Sequence, residues 1–133
     1  MWRLIGGIIA GAVAWFVVVT ILDRRLRYGW HDYPAVEKAM TFTLPMMIAR
    51  LTESGISSIA GGVVAALVGS DRFRPPLGAG VLLAALFAPE HYLLWHRFPV
   101  WYHLTFLISL VVLSLLGGRL VAARHARLES ASS

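Results

Sequence analysis

Arg50 and Glu53 are the residues of this chain whose types and spacing best suit chemistry, because they lie three positions apart inside a long apolar stretch. Residues three apart on an α-helix share a face, so these two side chains can meet. At about 1.5 Å per residue, Glu53 lies about 12 Å beyond Pro45, where the stretch begins. A carboxylate at that depth in a membrane must be paired, protonated or lined by water. We therefore predict an Arg50–Glu53 ion pair that fixes helix packing, a proton or ion site at Glu53, or a contact of this pair with a lipid headgroup or partner subunit.

A stripe of small and polar residues continues along the same helical face. Its members are separated alternately by three positions and by one, which is the spacing of one side of an α-helix. The stripe consists of Arg50, Glu53, Ser54, Ser57, Ser58, Gly61, Gly62, Ala65 and Ala66. The intervening residues are bulky and apolar, so we expect the stripe to face protein or enclosed water instead of lipid. Gly7 and Gly11 form a GxxxG pair in the first apolar stretch and predict another close helix contact.

Histidines and carboxylates gather around two loops and could hold a metal. They are His31, Glu90, His91, His96 and His103. Imidazole with carboxylate suits Zn, Fe or Cu, so a transition-metal or haem site is one alternative. The spacing differs from a zinc-binding helix, because His96 follows His91 by five positions instead of four. A belt of interfacial side chains explains the cluster more simply, and we expect no cofactor.

Four apolar stretches position these residues, near 4–22, 45–68, 77–95 and 100–121. Each has the roughly 20 residues that cross about 30 Å of hydrocarbon. The alternation typical of barrel strands is absent. We therefore predict an all-α integral membrane four-helix bundle over residues 1–122, with a polar C-terminal tail over 123–133 that frays. The first stretch is read as an uncleaved span and not a signal peptide, because its apolar run continues to Leu22.

The first loop is the longest and carries a helix-start pattern. Asp32 or Tyr33 followed by Pro34 and Glu37 predicts a short interfacial helix that begins at Pro34. Pro45 should kink that helix at the membrane or divide it.

Charge counts give the orientation and limit the partners. With four spans, the side of both termini holds six Lys and Arg residues and the other side holds five. This bias favours cytoplasmic termini. The net charge is +5. The basic residues lie at span ends, where they meet lipid headgroups, so we expect a bilayer partner and no nucleic acid. The absence of cysteine excludes disulfides and thiolate metal sites.

In outline the chain resembles small four-span bacterial inner-membrane proteins, which implies that location. Two characterised four-span classes do not fit. Small multidrug exporters carry a glutamate in the first span, where this chain has no acid before Asp23. Small fluoride channels have an Asn-rich signature, and this chain contains no Asn.

The expected function is that of a non-enzymatic accessory, scaffolding or assembly subunit. No nucleophile set or nucleotide-binding motif is present. Several small-residue faces could dock helices of a second copy or of a larger membrane complex. The alternatives are a small ion- or proton-coupled transporter or channel using Glu53 and Arg50, and a metal or haem binder using the histidines.

Overall fold

The structure is a computed structural model that describes residues 1–39 and 42–132, and all regular secondary structure in these residues is helical. Met40 and Thr41 in the first loop, and Ser133 at the end of the predicted tail, lie outside the described residues. The helices are α1 (Trp2–Gly29), α2 (Tyr33–Ala39), α3 (Leu44–Gly69), α4 (Arg74–Leu93) and α5 (Val100–Ser132). The predicted all-α class is confirmed.

Three of the described helices, α1, α3 and α5, are long and apolar enough to cross a membrane. The remaining predicted span corresponds to α4, which has 20 residues. Pro75 and Pro76 occupy its first turn, and Pro89, Glu90 and His91 lie near its end. These residues shorten its apolar centre, so the predicted four-span bundle is supported for three of its four spans.

The long helices alternate in direction. Gly7 on α1 lies against Ala65 on α3, and Trp15 further along α1 lies against Ser58, so α1 and α3 are antiparallel. By the same reasoning α4 is parallel to α1, because a Cβ at Gly78 would meet Ile8, and the ring of Phe87 lies 5.0 Å from that of Trp15.

The last helix, α5, is parallel to α3. Tyr102 near its start contacts Arg50, and Ser114 further along contacts Gly62. The connection from α3 to α5 through α4 therefore brings the chain back to the end at which α3 began.

Glycines bring the helix backbones together at one end of the molecule. A Cβ on Gly7 would lie 2.7 Å from the Ala65 carbonyl oxygen, and one on Gly11 would lie 2.8 Å from that of Gly61. A Cβ on Gly80 would lie 2.8 Å from the Cα of Val111. These small-residue faces are therefore used within the chain, as close backbone approach requires.

One helix boundary follows a sequence prediction, and one differs from it. Thr43 caps α3 by accepting a hydrogen bond from the Met46 N–H, and Pro45 lies in its first turn. Proline fits there because its missing N–H would have no helical partner. Pro45 therefore lies at the start of α3 and α2 is a separate helix, which is the predicted division and not the predicted kink. The α5 helix continues through Ser132, where a frayed tail was expected from Ala123, because Ala, Arg and Leu favour helix in this segment.

The turn between α3 and α4 depends on Asp71. Its Oδ1 accepts hydrogen bonds from the backbone N–H groups of Phe73, at 2.8 Å, and Arg74, at 3.4 Å. The first of these bonds is the main reason why the pKa of the Asp71 carboxyl is lowered from its ordinary value.

A lowered pKa in the folded state predicts how stability varies with pH. The contribution of Asp71 is present above the unfolded pKa and is lost as the pH falls through the folded one. We expect the melting temperature of the detergent-solubilised protein to fall slightly less between pH 6 and 3 in Asp71→Ala than in the wild type. Thermal melts across this range measure the difference. Identical pH profiles would show that Asp71 contributes nothing.

Candidate ion site in a partly open cavity

A partly open cavity of about 530 Å³ lies at the end of the bundle opposite the termini, and all five helices contribute to it. We call it the ionic cavity. Its charged lining residues are Asp23, Arg24, Arg27, Glu37, Arg50 and Glu53. The first three come from the end of α1, and Glu37 comes from α2. Arg50 and Glu53 come from the predicted stripe on α3.

Most of the charges around the cavity form ion pairs. Arg27 Nη2 lies 2.9 Å from Asp23 Oδ2, and its Nε donates to Glu37 Oε1 at 2.7 Å. Arg50 Nη1 lies 3.6 Å from Glu37 Oε2. Two arginines and two carboxylates therefore neutralise each other along the end of α1 and under α2.

Arg50 is also held by two tyrosines from distant parts of the chain. Its Nη1 donates to Tyr33 Oη at 3.0 Å, and its Nε donates to Tyr102 Oη at 3.2 Å. Its guanidinium lies over the ring of Phe42, 4.5 Å from the centroid. Burial raises the pKa of the Tyr33 hydroxyl to about 12, so this group is a neutral phenol at physiological pH. Arg50 thus joins α2, α3 and α5.

Glu53 has different surroundings from the other acids that line the ionic cavity. It is 7% exposed, and its Oε2 is buried and receives no hydrogen bond within residues 1–39 and 42–132. The direct Arg50–Glu53 pair that the sequence suggested does not form. Arg50 is instead directed towards Glu37 and the two tyrosines, which lets its long side chain reach the more polar end of the bundle.

The remaining stripe residues lie inside the bundle next to Glu53. Ser57 and Ser58 donate to the carbonyl oxygens of Glu53 and Ser54, four residues back, at 2.7 and 2.8 Å. The indole of Trp15 donates to Ser58 Oγ at 3.1 Å. Ser54 also lines the cavity, and its buried Oγ has no hydrogen-bond partner in the described part of the chain. Glu53 and Ser54, which both line the cavity, therefore each have a buried oxygen that lacks a partner among the described residues.

Aromatic rings form the apolar wall beside these groups. The rings of Trp15 and Phe16 are 5.1 Å apart, those of Trp15 and Phe87 are 5.0 Å apart, and Phe87 and Phe106 are 5.4 Å apart. All four residues line the cavity. Phe16 is 42% exposed, so the aromatic wall extends to the outer surface of the bundle.

The histidines do not form the set that a metal site would need. His91 and His103 are buried with their Nδ1 atoms 2.6 Å apart, and His103 Nε2 lies 3.3 Å from the Trp95 carbonyl oxygen. His31 and His96 are exposed in turns. Within the described ranges, no three His, Cys, Asp or Glu side chains are placed to share a metal ion.

Hydrogen bonding fixes the tautomers of the buried histidine pair when both rings are neutral. The Trp95 carbonyl can only accept, so His103 Nε2 carries a proton and its Nδ1 accepts. His91 Nδ1 must then be the donor across the 2.6 Å contact. Three of the four ring nitrogens of the pair thus have a partner, which helps to explain why the rings can be buried among aromatic side chains.

Sequence reasoning missed the residues that complete the site. Tyr33, Glu37 and Tyr102 bind Arg50, and Trp15 binds the serine stripe. Tyr33 and Glu37 were recognised only as signals of a helix start. The one available signal was that a buried arginine needs several acceptors.

The fold and the cavity define an all-helical protein with three helices that could cross a membrane and a polar cavity among them. No protein-family model, curated protein or solved structure matches the chain.

Proposed function

We propose that this protein is a small membrane carrier that binds a proton or a cation at Glu53. The observation that carries the proposal is a buried carboxylate without a hydrogen-bond partner at Oε2, on the lining of a cavity that is partly open. Leaving such a group charged and unpaired at membrane depth costs several kcal/mol or more. A bound proton or cation removes that cost, so the site favours positive charge.

The same proposal includes a fourth span. The α3 and α5 helices run in the same direction, so the segment between them must return across whatever layer both of them cross. α4 contacts α5 along its length, from Pro76 beside Gly118 to His91 beside His103. A short, proline-flanked fourth span completes an up-down-up-down bundle.

We further propose that both termini lie in the cytoplasm, which the bias in Lys and Arg supports, and that the membrane is a bacterial inner membrane, as the resemblance to small four-span proteins implies. The cavity then opens on the opposite side. The close glycine contacts fill the half of the bundle near the termini, where Gly7, Gly11 and Gly61 lie. This arrangement supports a carrier that opens on one side at a time, and it argues against a permanently open channel.

Current measurements on supported membranes carrying proteoliposomes test the function without prior choice of ion. We expect a jump in pH, Na⁺ or K⁺ to produce charge movement above that of empty liposomes. Glu53→Gln keeps the shape of the side chain but cannot hold a negative charge, so its current should fall at least tenfold. Glu90→Gln removes an exposed acid from the same end of the bundle and should behave as the wild type.

Two results would contradict the carrier. One is a wild-type protein that gives no current above empty liposomes for any of the three jumps. The other is a Glu53→Gln variant that is as active as the wild type.

The second candidate is the accessory or assembly subunit that the sequence suggested. One observation favours it, an apolar groove of about 950 Å³ along α5 near the turn that precedes α4. Val112, Leu115 and Leu116 line the groove, with Arg72 and Arg119 also in its lining. A partner helix could lie there, and co-purification of an identified membrane protein in fixed stoichiometry would distinguish this function from the carrier.

A further inference from the structure

We propose that the ionic cavity binds a lipophilic organic cation, one that carries aromatic or other apolar groups around a single positive charge. This inference rests on the proposed function, because it names the class of substrate for the site at Glu53. It depends on the combination of aromatic rings, unpaired carboxylate and cavity size in one place.

The size of the cavity suits a small organic molecule better than a bare ion. At about 530 Å³ it falls within the range of roughly 300–1,000 Å³ that is typical of small-molecule sites. A proton or a single metal ion would leave most of this volume to water. An apolar molecule with one charge would fill it and cover the rings.

The walls provide the two kinds of contact that such a cation needs. Trp15, Phe87 and Phe106 line the cavity, and the negative faces of aromatic rings attract a cation. Glu53 supplies the opposite charge, since Arg50 is bound to Glu37 and the tyrosines instead. An organic anion would meet this carboxylate at the inner end of the cavity, while the exposed Arg24 lies at the polar end of α1.

The position of the opening suits molecules that arrive from the bilayer. Phe16 and Thr20 are exposed at the edge of the cavity, and the charged Arg24 and Arg27 lie one to two turns further along α1. The opening thus runs from the apolar part of α1 to its polar end. Amphipathic cations collect at that level of a membrane, between the acyl chains and the headgroups.

Tetraphenylphosphonium and tetraphenylborate provide a matched pair of probes with the same shape and opposite charge. We expect saturable binding of tetraphenylphosphonium to the purified protein, measured by calorimetry, and no saturable binding of tetraphenylborate. Glu53→Gln should weaken the binding of the cation at least tenfold. Phe87→Leu should weaken it severalfold, and Glu90→Gln should leave it unchanged.

The outcomes separate this inference from the proposed carrier. Glu53-dependent currents without saturable binding of the cation would overturn the substrate class and leave the carrier intact. Equal binding of both probes, or binding of the cation that Glu53→Gln and Phe87→Leu leave unchanged, would also overturn it. A wild-type protein that shows neither currents nor saturable binding of the cation would overturn both proposals. Melting curves verify that each variant is folded, and saturable binding that depends on both residues supports the inference.

Discussion

Gly62→Ala is expected to lower the free energy of unfolding by about 3 kcal/mol, at the upper end of what overpacking costs. A Cβ at this position would overlap the backbone carbonyl of Ser114 on α5. Backbone cannot rotate away as a flexible side chain can, so α3 and α5 must move apart. Their separation would also loosen the contact at Gly117, where an added Cβ would lie 2.8 Å from the Val63 nitrogen.

Gly6→Ala is the matched control. It also replaces a glycine inside a long apolar helix with alanine, and it gains the same helix propensity of roughly 1 kcal/mol. A Cβ at Gly6 would meet only Val68 Cγ1, at 3.9 Å, which is ordinary contact. The difference between the two variants therefore isolates the helix contact from the propensity gain. Unfolding in mixed micelles with increasing denaturing detergent measures it, and equal stability of the two variants would contradict this packing.

The stripe on α3 shows how far the sequence could lead. The alternation of three and one predicts a face, and the structure buries Glu53, Ser54, Ser57 and Ser58 on that face. Periodicity succeeds here because the pattern depends only on local helix geometry. The pattern predicts which side of α3 faces protein, but it does not identify the helix that packs against that side.

Partners from other elements could not be predicted in the same way. Arg50 binds Tyr33, 17 positions earlier, and Tyr102, 52 positions later. No local pattern relates residues so far apart, while the nearby Glu53 was the obvious candidate for its counter-ion. The arginine side chain is long enough to reach either Glu53 or the more distant groups, and it extends in the direction in which three acceptors are available. A local pair was therefore predicted where a network between helices exists.

The contrast between α4 and α5 has a similar origin. An apolar run of suitable length predicted a span at 77–95, but prolines and polar residues at both ends of α4 shorten its apolar centre, and only α1, α3 and α5 among the described helices are long and apolar enough to cross a membrane. In α5, small and charged residues after Ala122 suggested a frayed tail, although their helix propensity is high. Composition indicates whether a segment can lie in a membrane, whereas local propensity indicates whether it forms a helix. In α4 and in the end of α5 these two indications differ.

Arg50→Met is expected to cost about 3 kcal/mol of stability, the range for losing one partner of a partly buried charged network. The apolar stem is kept, so the loss reflects the guanidinium. Without it, Glu37 keeps only Arg27 as a partner, and the fully buried Tyr33 loses its donor. Unfolding in mixed micelles measures this loss, and the exposed Arg24→Met should show almost none.

A double-mutant cycle with Tyr102→Phe identifies the source of the loss. Removing the hydroxyl that accepts from Arg50 Nε should cost about 1 kcal/mol alone, and much less once Arg50 is methionine. Additive losses would contradict the network. Because Tyr33 and Glu37 belong to α2, the single substitution Arg50→Met also removes contacts that hold this short helix beside the cavity. If Arg50→Met loosens α2 while Glu53 remains ionised, binding of organic cations should persist with faster exchange, because the carboxylate that attracts them is on α3 and its neighbouring rings are on α1, α4 and α5.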